Sequence, residues 1–234
     1  GGTLQKLGTG SLTLSGNSSF TGILDVNEGP VVVSSSTALG TATSGNDIAN
    51  GASLQLTGGI NLSETAVTIR GTGTDGNGVL RNLSGDNSFD AAVTLGSSST
   101  IGSDAGNLTV SGDIDLSSRM LTNTGAGNVY LSGAVGGSGG KLTQDGTGVL
   151  TLSGTAANTF SGNTAINDGT RQLNKTAGVP ALGAGSLNIG DGSGAASTAT
   201  LRLLASNQRT ADTSLIINSD GAFQLNNQVE SIDK

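Results

Sequence analysis

The chain has 234 residues, with 40 glycines, two prolines and neither cysteine nor histidine. The missing thiols and imidazoles exclude disulfides, sulfur-ligated metals, cysteine nucleophiles and a Ser-His-Asp triad. Ten basic against 17 acidic residues leave a formal net charge of −7, which speaks against nucleic acid, because phosphate contacts need clustered Lys and Arg.

In chain order, the first clear element is Ser11-Leu12-Thr13-Leu14-Ser15, in which polar and apolar residues alternate. Ala52 to Thr57, Asn107 to Ser111, Asn128 to Leu131, Val149 to Leu152 and Thr200 to Leu203 repeat the pattern. Alternation of period two buries one row of side chains and leaves the other in solvent, so each run predicts a short strand. Glycine-containing corners bound these runs: Ser15-Gly16-Asn17, Asp75-Gly76-Asn77-Gly78, Ser138-Gly139-Gly140 and Asp191-Gly192. Ser206 to Asp212 has no amphipathic stripe and reads as a loop or single turn. The expected class is all-β. Glycine without a three-residue period excludes collagen. An aromatic fraction of 2% is too low for a wide sandwich core. No run of ~18 apolar residues is present to span a membrane as a helix.

Two distant stretches nearly coincide. Gly8-Thr9-Gly10-Ser11-Leu12-Thr13-Leu14-Ser15-Gly16 returns as Gly146-Thr147-Gly148-Val149-Leu150-Thr151-Leu152-Ser153-Gly154. After a short insertion, Phe20-Thr21-Gly22 matches Phe160-Ser161-Gly162, and Val26-Asn27-Glu28-Gly29 matches Ile166-Asn167-Asp168-Gly169. Such self-similarity favours a solenoid over a sandwich or barrel. Coils of about 20 residues would give roughly 11 to 12 turns and a rod about 50 to 60 Å long. Equivalent residues then stack, with Leu, Val, Ile and Ala filling a thin core and Asn laddering at corners. Phe20, Phe89, Phe160 and Phe223 read as corner packing, and Pro30, opposite Thr170 in the repeat, as a variant at a strand start or edge.

The stretch Lys6-Leu7-Gly8-Thr9-Gly10-Ser11-Leu12-Thr13-Leu14-Ser15-Gly16-Asn17, with Phe20-Thr21-Gly22 and Val26-Asn27-Glu28-Gly29, resembles the autotransporter-associated β-strand repeat. This is the passenger-associated repeat of bacterial type V secretion proteins. Residues 141 to 173 resemble it again, with Gln144-Asp145 in the lysine region and Arg171 interrupting the apolar strand. Arg81 to Phe89 reads as a degenerate third copy. The resemblance implies a right-handed parallel β-helix, one repeat segment over residues 1–234 with copies near 2–33 and 140–173 and a degenerate one near 78–95. It also implies an extracellular or cell-surface passenger stalk; with no membrane β-barrel or aromatic terminal strand visible in the sequence, the expectation is a passenger segment, or a relative that uses the same repeat for another purpose.

The residues themselves suggest little chemistry, and no catalytic, cofactor-binding or metal-binding residue is expected. Asp113 and Asp115 share one side of a strand and form the sole pair of carboxylates worth testing for glycan cleavage. Arg70, Arg81, Arg119 and Arg202 would complete a polysaccharide-active groove if they shared a face. Gly71 to Gly78 partly resembles the Gly- and Asp-rich turns that hold calcium, and Asp191 between Gly190 and Gly192 does so more weakly. The expected partners are other copies of the chain, neighbouring repeats and surface glycans, in adhesion, aggregation or coating. A head-to-tail filament or sheath is the alternative, and a polysaccharide-active enzyme the more distant one.

Overall fold

A short alternating strand leaves one apolar row to be covered and two edges of unpaired backbone. Stacking coil upon coil meets both needs. In the computed structural model, which describes residues 2–41, 45–63, 66–210 and 214–231, all strand pairing is parallel and no helix occurs among the described residues. The expected all-β solenoid is therefore the fold. The described part of Ser206 to Asp212 is irregular apart from one bridge at Arg209, and Asp212 lies outside the described residues.

The chain makes about ten turns, fewer than uniform coils of about 20 residues would give. The reason lies at the corners, where long connections such as 72–79 and 190–198 lengthen individual turns. At ~4.8 Å per turn the stack is about 48 Å high.

Each turn has three faces. The first carries Thr3–Lys6, Ile23–Val26, Asn46–Ile48, Ala66–Gly71, the start of Ala92–Ser103, Ile114–Asp115 and Val135–Gly136. The second begins at Leu12–Leu14 and Gly29–Val33 and runs through Ala52–Thr57 and Leu80–Ser84. It continues through the end of Ala92–Ser103, Met120–Thr124, Lys141–Gln144, Thr164–Ile166, Leu187–Ile189 and Leu215–Ile217. The third is an eight-stranded sheet from Asn61–Leu62 to Gly221–Gln224. Ala92–Ser103 rounds a corner without breaking, and this joins the first two faces into one sixteen-stranded sheet.

Inward residues stack in columns. One column runs through every turn, from Leu12 through Val31, Leu54, Leu80 and Ile101 to Ile217, and is aliphatic except at Asn123 and Gln144. Phe89 and Phe160 are buried, as corner or core packing requires, while Phe20 and Phe223 are half-buried. Pro30 is the second residue of Gly29–Val33 and points outward.

The two repeat copies do not lie on the same faces. The first places Leu12–Leu14 on the second face, whereas the second places its counterpart Val149–Gly154 on the third. Phe160 follows suit: its neighbour Thr159 donates to the Val135 carbonyl, on the first face, while Phe89 lies on the third. The repeat thus encodes a corner and the strands flanking it, and a spacing that is not a whole number of turns rotates it by one face.

Leu54 is inward and buried, while Thr122 points outward. Leu54→Ala should lose about 2–5 kcal/mol through lost contacts and the cavity left behind. Thr122→Ala should stay within about 0.5 kcal/mol of the parent. Urea unfolding of the two variants against the parent measures both.

Candidate functional site

At several corners backbone carbonyls turn toward the thin core, and buried polar groups of this kind need donors. In the first repeat copy Lys6 supplies them. Its side chain is buried, and its ammonium donates to the carbonyls of Leu7 (3.3 Å), Gly8 and Glu28 (2.9 Å). In the second copy Gln144 stands in its place, and Nε2 donates to the carbonyls of Gly146 (3.0 Å) and Gly148 (3.2 Å). The backbone repeats as well: Asn27 N donates to Lys6 O at 2.9 Å, and Asn167 N to Gln144 O at 2.8 Å. Gly29 and Gly169 have φ of 73° and 68°, and a Cβ on Gly29 would stand 2.6 Å from the Gly8 carbonyl. Both requirements select glycine there. The glutamine that departs from the lysine of the motif therefore does the same work without charge.

Other corners use the same device. Asn82 is fully buried, and its Nδ2 donates to Gly85 O (3.1 Å), Ala105 O (2.9 Å) and Ser103 Oγ (3.0 Å). Lys175 donates to Ser153 O (2.7 Å) and Gly133 O (3.3 Å), and burial pushes its pKa below the ordinary value against the pull of Asp113. Asn158 accepts from Val135 N (2.8 Å) and donates to Ala181 O (2.7 Å). Sequence reasoning missed these residues as a class. The available signal was the buried lysine within the motif, at the end of an apolar strand.

The residues singled out for chemistry are scattered. Asp113 and Asp115 both project outward beside buried Ile114, as two-residue spacing predicts. Asp113 Oδ1 accepts from Ala134 N (2.8 Å) and Asp115 Oδ1 from Ser117 N (2.7 Å), so each holds a local turn or the next coil. The four arginines do not share a face. Arg70 ends a first-face strand and pairs with Asp47, while Arg119 sits at the corner before Met120–Thr124. Arg81 lies on the second face, and Arg202, on the third, donates to Gln224 Oε1 at 2.8 Å.

Arg81 grips both Asp104 oxygens (2.9 and 2.7 Å) and Asp75 (2.6 Å). The loop expected to resemble a calcium turn is thus closed by a guanidinium: Asp75 Oδ2 takes Arg81 and Oδ1 accepts from Asn77 N at 3.2 Å. Burial opposes the charge on Asp75, but these bonds hold its carboxyl below the ordinary value. Asp191 Oδ1 accepts from Ser193 N (2.8 Å). The neighbouring Asp220, which the sequence gave no reason to choose, is buried and accepts from Gly192 N (2.8 Å) and Asp191 N (3.2 Å). Burial works against its charge, and the amide bonds outweigh it and keep the carboxyl below the ordinary value.

A shallow, open concavity bordered by Asp145, Asp168 and Asp191 collects acidic groups on the outside of successive turns. Asp145 there accepts from Asn167 Nδ2 (2.7 Å), and Asp168 from Gly169 N (2.7 Å). Among the described residues no three His, Cys, Asp or Glu groups converge in a way that would hold a metal ion, and no helix is long and apolar enough to cross a membrane.

Residues 1–33 and 142–170 match the Passenger-associated-transport-repeat family. Both stretches are those in which Lys6 and Gln144 close their corners. No curated protein and no solved structure matches the chain. A solenoid carrying this repeat fits the stalk of an autotransporter passenger, which is a secreted or cell-surface setting.

Two predictions follow from the corners. Lys6→Leu should lose roughly 1–3 kcal/mol, because buried carbonyls are left without donors, while Lys6→Gln should keep most of the stability. Denaturant midpoints of the two variants distinguish them. Asp75, depressed in the folded chain, contributes stability that is present above its unfolded value of 3.8 and lost as pH falls through the folded value. The stability difference between the parent and Arg81→Leu should therefore narrow below pH 3.8, as thermal melts from about pH 2 to about pH 6 would register.

Proposed function

We propose that this chain is a rigid β-helical stalk segment of a secreted bacterial passenger, used in adhesion, aggregation or surface coating. The observation that supports it best is the corner chemistry. The residues that define both repeat copies, Lys6 or Gln144 with Gly29 or Gly169, are engaged in closing turns, and the outward carboxylates tested above are engaged in turn bonds. Rigidity comes from parallel ladders in which each turn is held by its neighbours. Outward polar side chains recur along the third face, as in Ser88, Thr109, Gln172 and Gln224. Repetition at that spacing suits many weak contacts with surface glycans or neighbouring rods.

The test pairs light scattering with electron microscopy of the isolated chain, then measures settling of cells that display it. Monomeric rods about 48 Å long that speed settling support the reading. Globular particles would remove the stalk, and unchanged settling with no retention on glycan-coated beads would remove the adhesive part.

A head-to-tail filament is the second reading. In the last described turn Ile217 is 49% exposed, although Ile189 directly beneath it is 0% exposed, and Ile216 beside it is 47% exposed. A following turn, in this protein or in another copy, would cover Ile217, whereas Ile216 faces outward above Asn188. Long fibres with a regular axial repeat from the isolated chain would select the filament.

A further inference from the structure

Aligning the two repeat copies by their glycines places Val31, two residues after Gly29, opposite Arg171, two residues after Gly169. Val31 is buried in the aliphatic column. Arg171 occupies the corresponding inward position on the third face, between Leu150 and Leu201, and is 0% exposed. Its Nε, Nη1 and Nη2 all lack a hydrogen-bond partner. The exchange is double, because the corner that holds a lysine in the first copy holds Gln144 in the second. The first copy keeps its cation at the corner, saturated by three carbonyls. The second has moved the cation into the core, where Asp145, exposed on the outside, is the opposite charge that acts on it.

Two further features weaken the same region. On the first face the ladder of strands ends at Val135–Gly136, and above it the described residues are joined by one isolated bridge, Leu182 to Arg209, together with scattered backbone and side-chain bonds. Beneath Gln144, Asn123 donates to Gln144 Oε1 (3.0 Å), yet its own buried Oδ1 has no partner.

We propose that the eighth turn, containing Thr164–Ile166 and Gly169–Lys175, is a built-in release point, where the stack opens before the rest of the rod unfolds. A guanidinium without partners gains hydration as soon as its turn lifts away, and this gain belongs to the open state alone. Valine at the same place gains nothing by opening. A stalk loaded along its axis therefore yields at one defined turn instead of fraying evenly from its ends. The inference rests on the rod architecture and holds whether the stalk is adhesive or filamentous.

Native-state hydrogen exchange on the full chain, read by mass spectrometry, tests it. The control is Ala52–Thr57 in the third turn, which lies as many turns from the first described turn as the eighth lies from the last. In the parent, amides of Gly169–Lys175 should exchange on the order of tenfold faster than those of Ala52–Thr57. Arg171→Val should abolish the difference. Gln144→Lys, which adds a further cation to the region that already holds Arg171 and Lys175, should widen it, and the double variant Gln144→Lys/Arg171→Val, which restores the lysine and valine of the first copy, should close it. Equal protection of the two segments in the parent would overturn the proposal, as would a difference that Arg171→Val leaves in place. So would slow exchange that appears only with added phosphate, which would make Arg171 an anion seat instead.

Discussion

A parallel solenoid has a thin core and a bend at every third of a turn, so corner carbonyls that turn inward need donors supplied by the chain itself. The rod depends on answering that demand. Here the answer is a buried donor that reaches along the core side of the bend: the ammonium of Lys6 or Lys175, or the amide of Asn82, Asn158 or Gln144. An unsatisfied buried carbonyl costs more than a made bond contributes. Losing such a donor should therefore damage a turn more than trimming a methyl group from its surface. The aliphatic columns supply bulk stability, and the corner donors decide where the chain is able to bend.

This division explains why the repeat is a motif of so few residues. Its glycines accept left-handed backbone at φ near 70° where a side chain would meet a carbonyl, as at Gly29 and Gly169. Its inward Leu and Val positions need only be apolar and of similar size. Nothing in the motif refers to a particular face, so a copy serves equally at the corner between the first and second faces or at the next one. The chain uses both.

The same logic accounts for the acidic surface. Many of the outward carboxylates are short-range fasteners: Asp115 and Asp191 within their own turns, Asp113 to the turn above, Asp75 and Asp104 to Arg81. Fastening of this sort lets a glycine-rich chain with few aromatics hold long loops against a thin core. Arg171 breaks the pattern, as a charge placed inward without a fastener. It therefore marks a turn that differs in kind from its neighbours.

The strand class, the stacking and the presence of two repeat copies were legible in the sequence, because alternation, glycine placement and repetition are local and survive in one dimension. The resemblance at Lys6 to Gly29 and at Gly146 to Gly169 pointed to the same parallel coil. The number of turns was not legible, since loop residues at 72–79 and 190–198 look no different from strand-connecting residues until pairing partners are known. Nor was the rotation of the second copy by one face, which depends on the lengths of every intervening turn. The donors at the corners were hidden for a related reason: Lys6 and Gln144 at strand ends, and Asn82 within Leu80–Ser84, are polar residues that read as solvent-facing, and only the coil stacked beside them turns them inward. Sequence settles what each residue prefers next to its chain neighbours. Which residue it meets one turn away, and whether a charge such as that of Arg171 finds a partner there, is decided only by the winding of the whole chain.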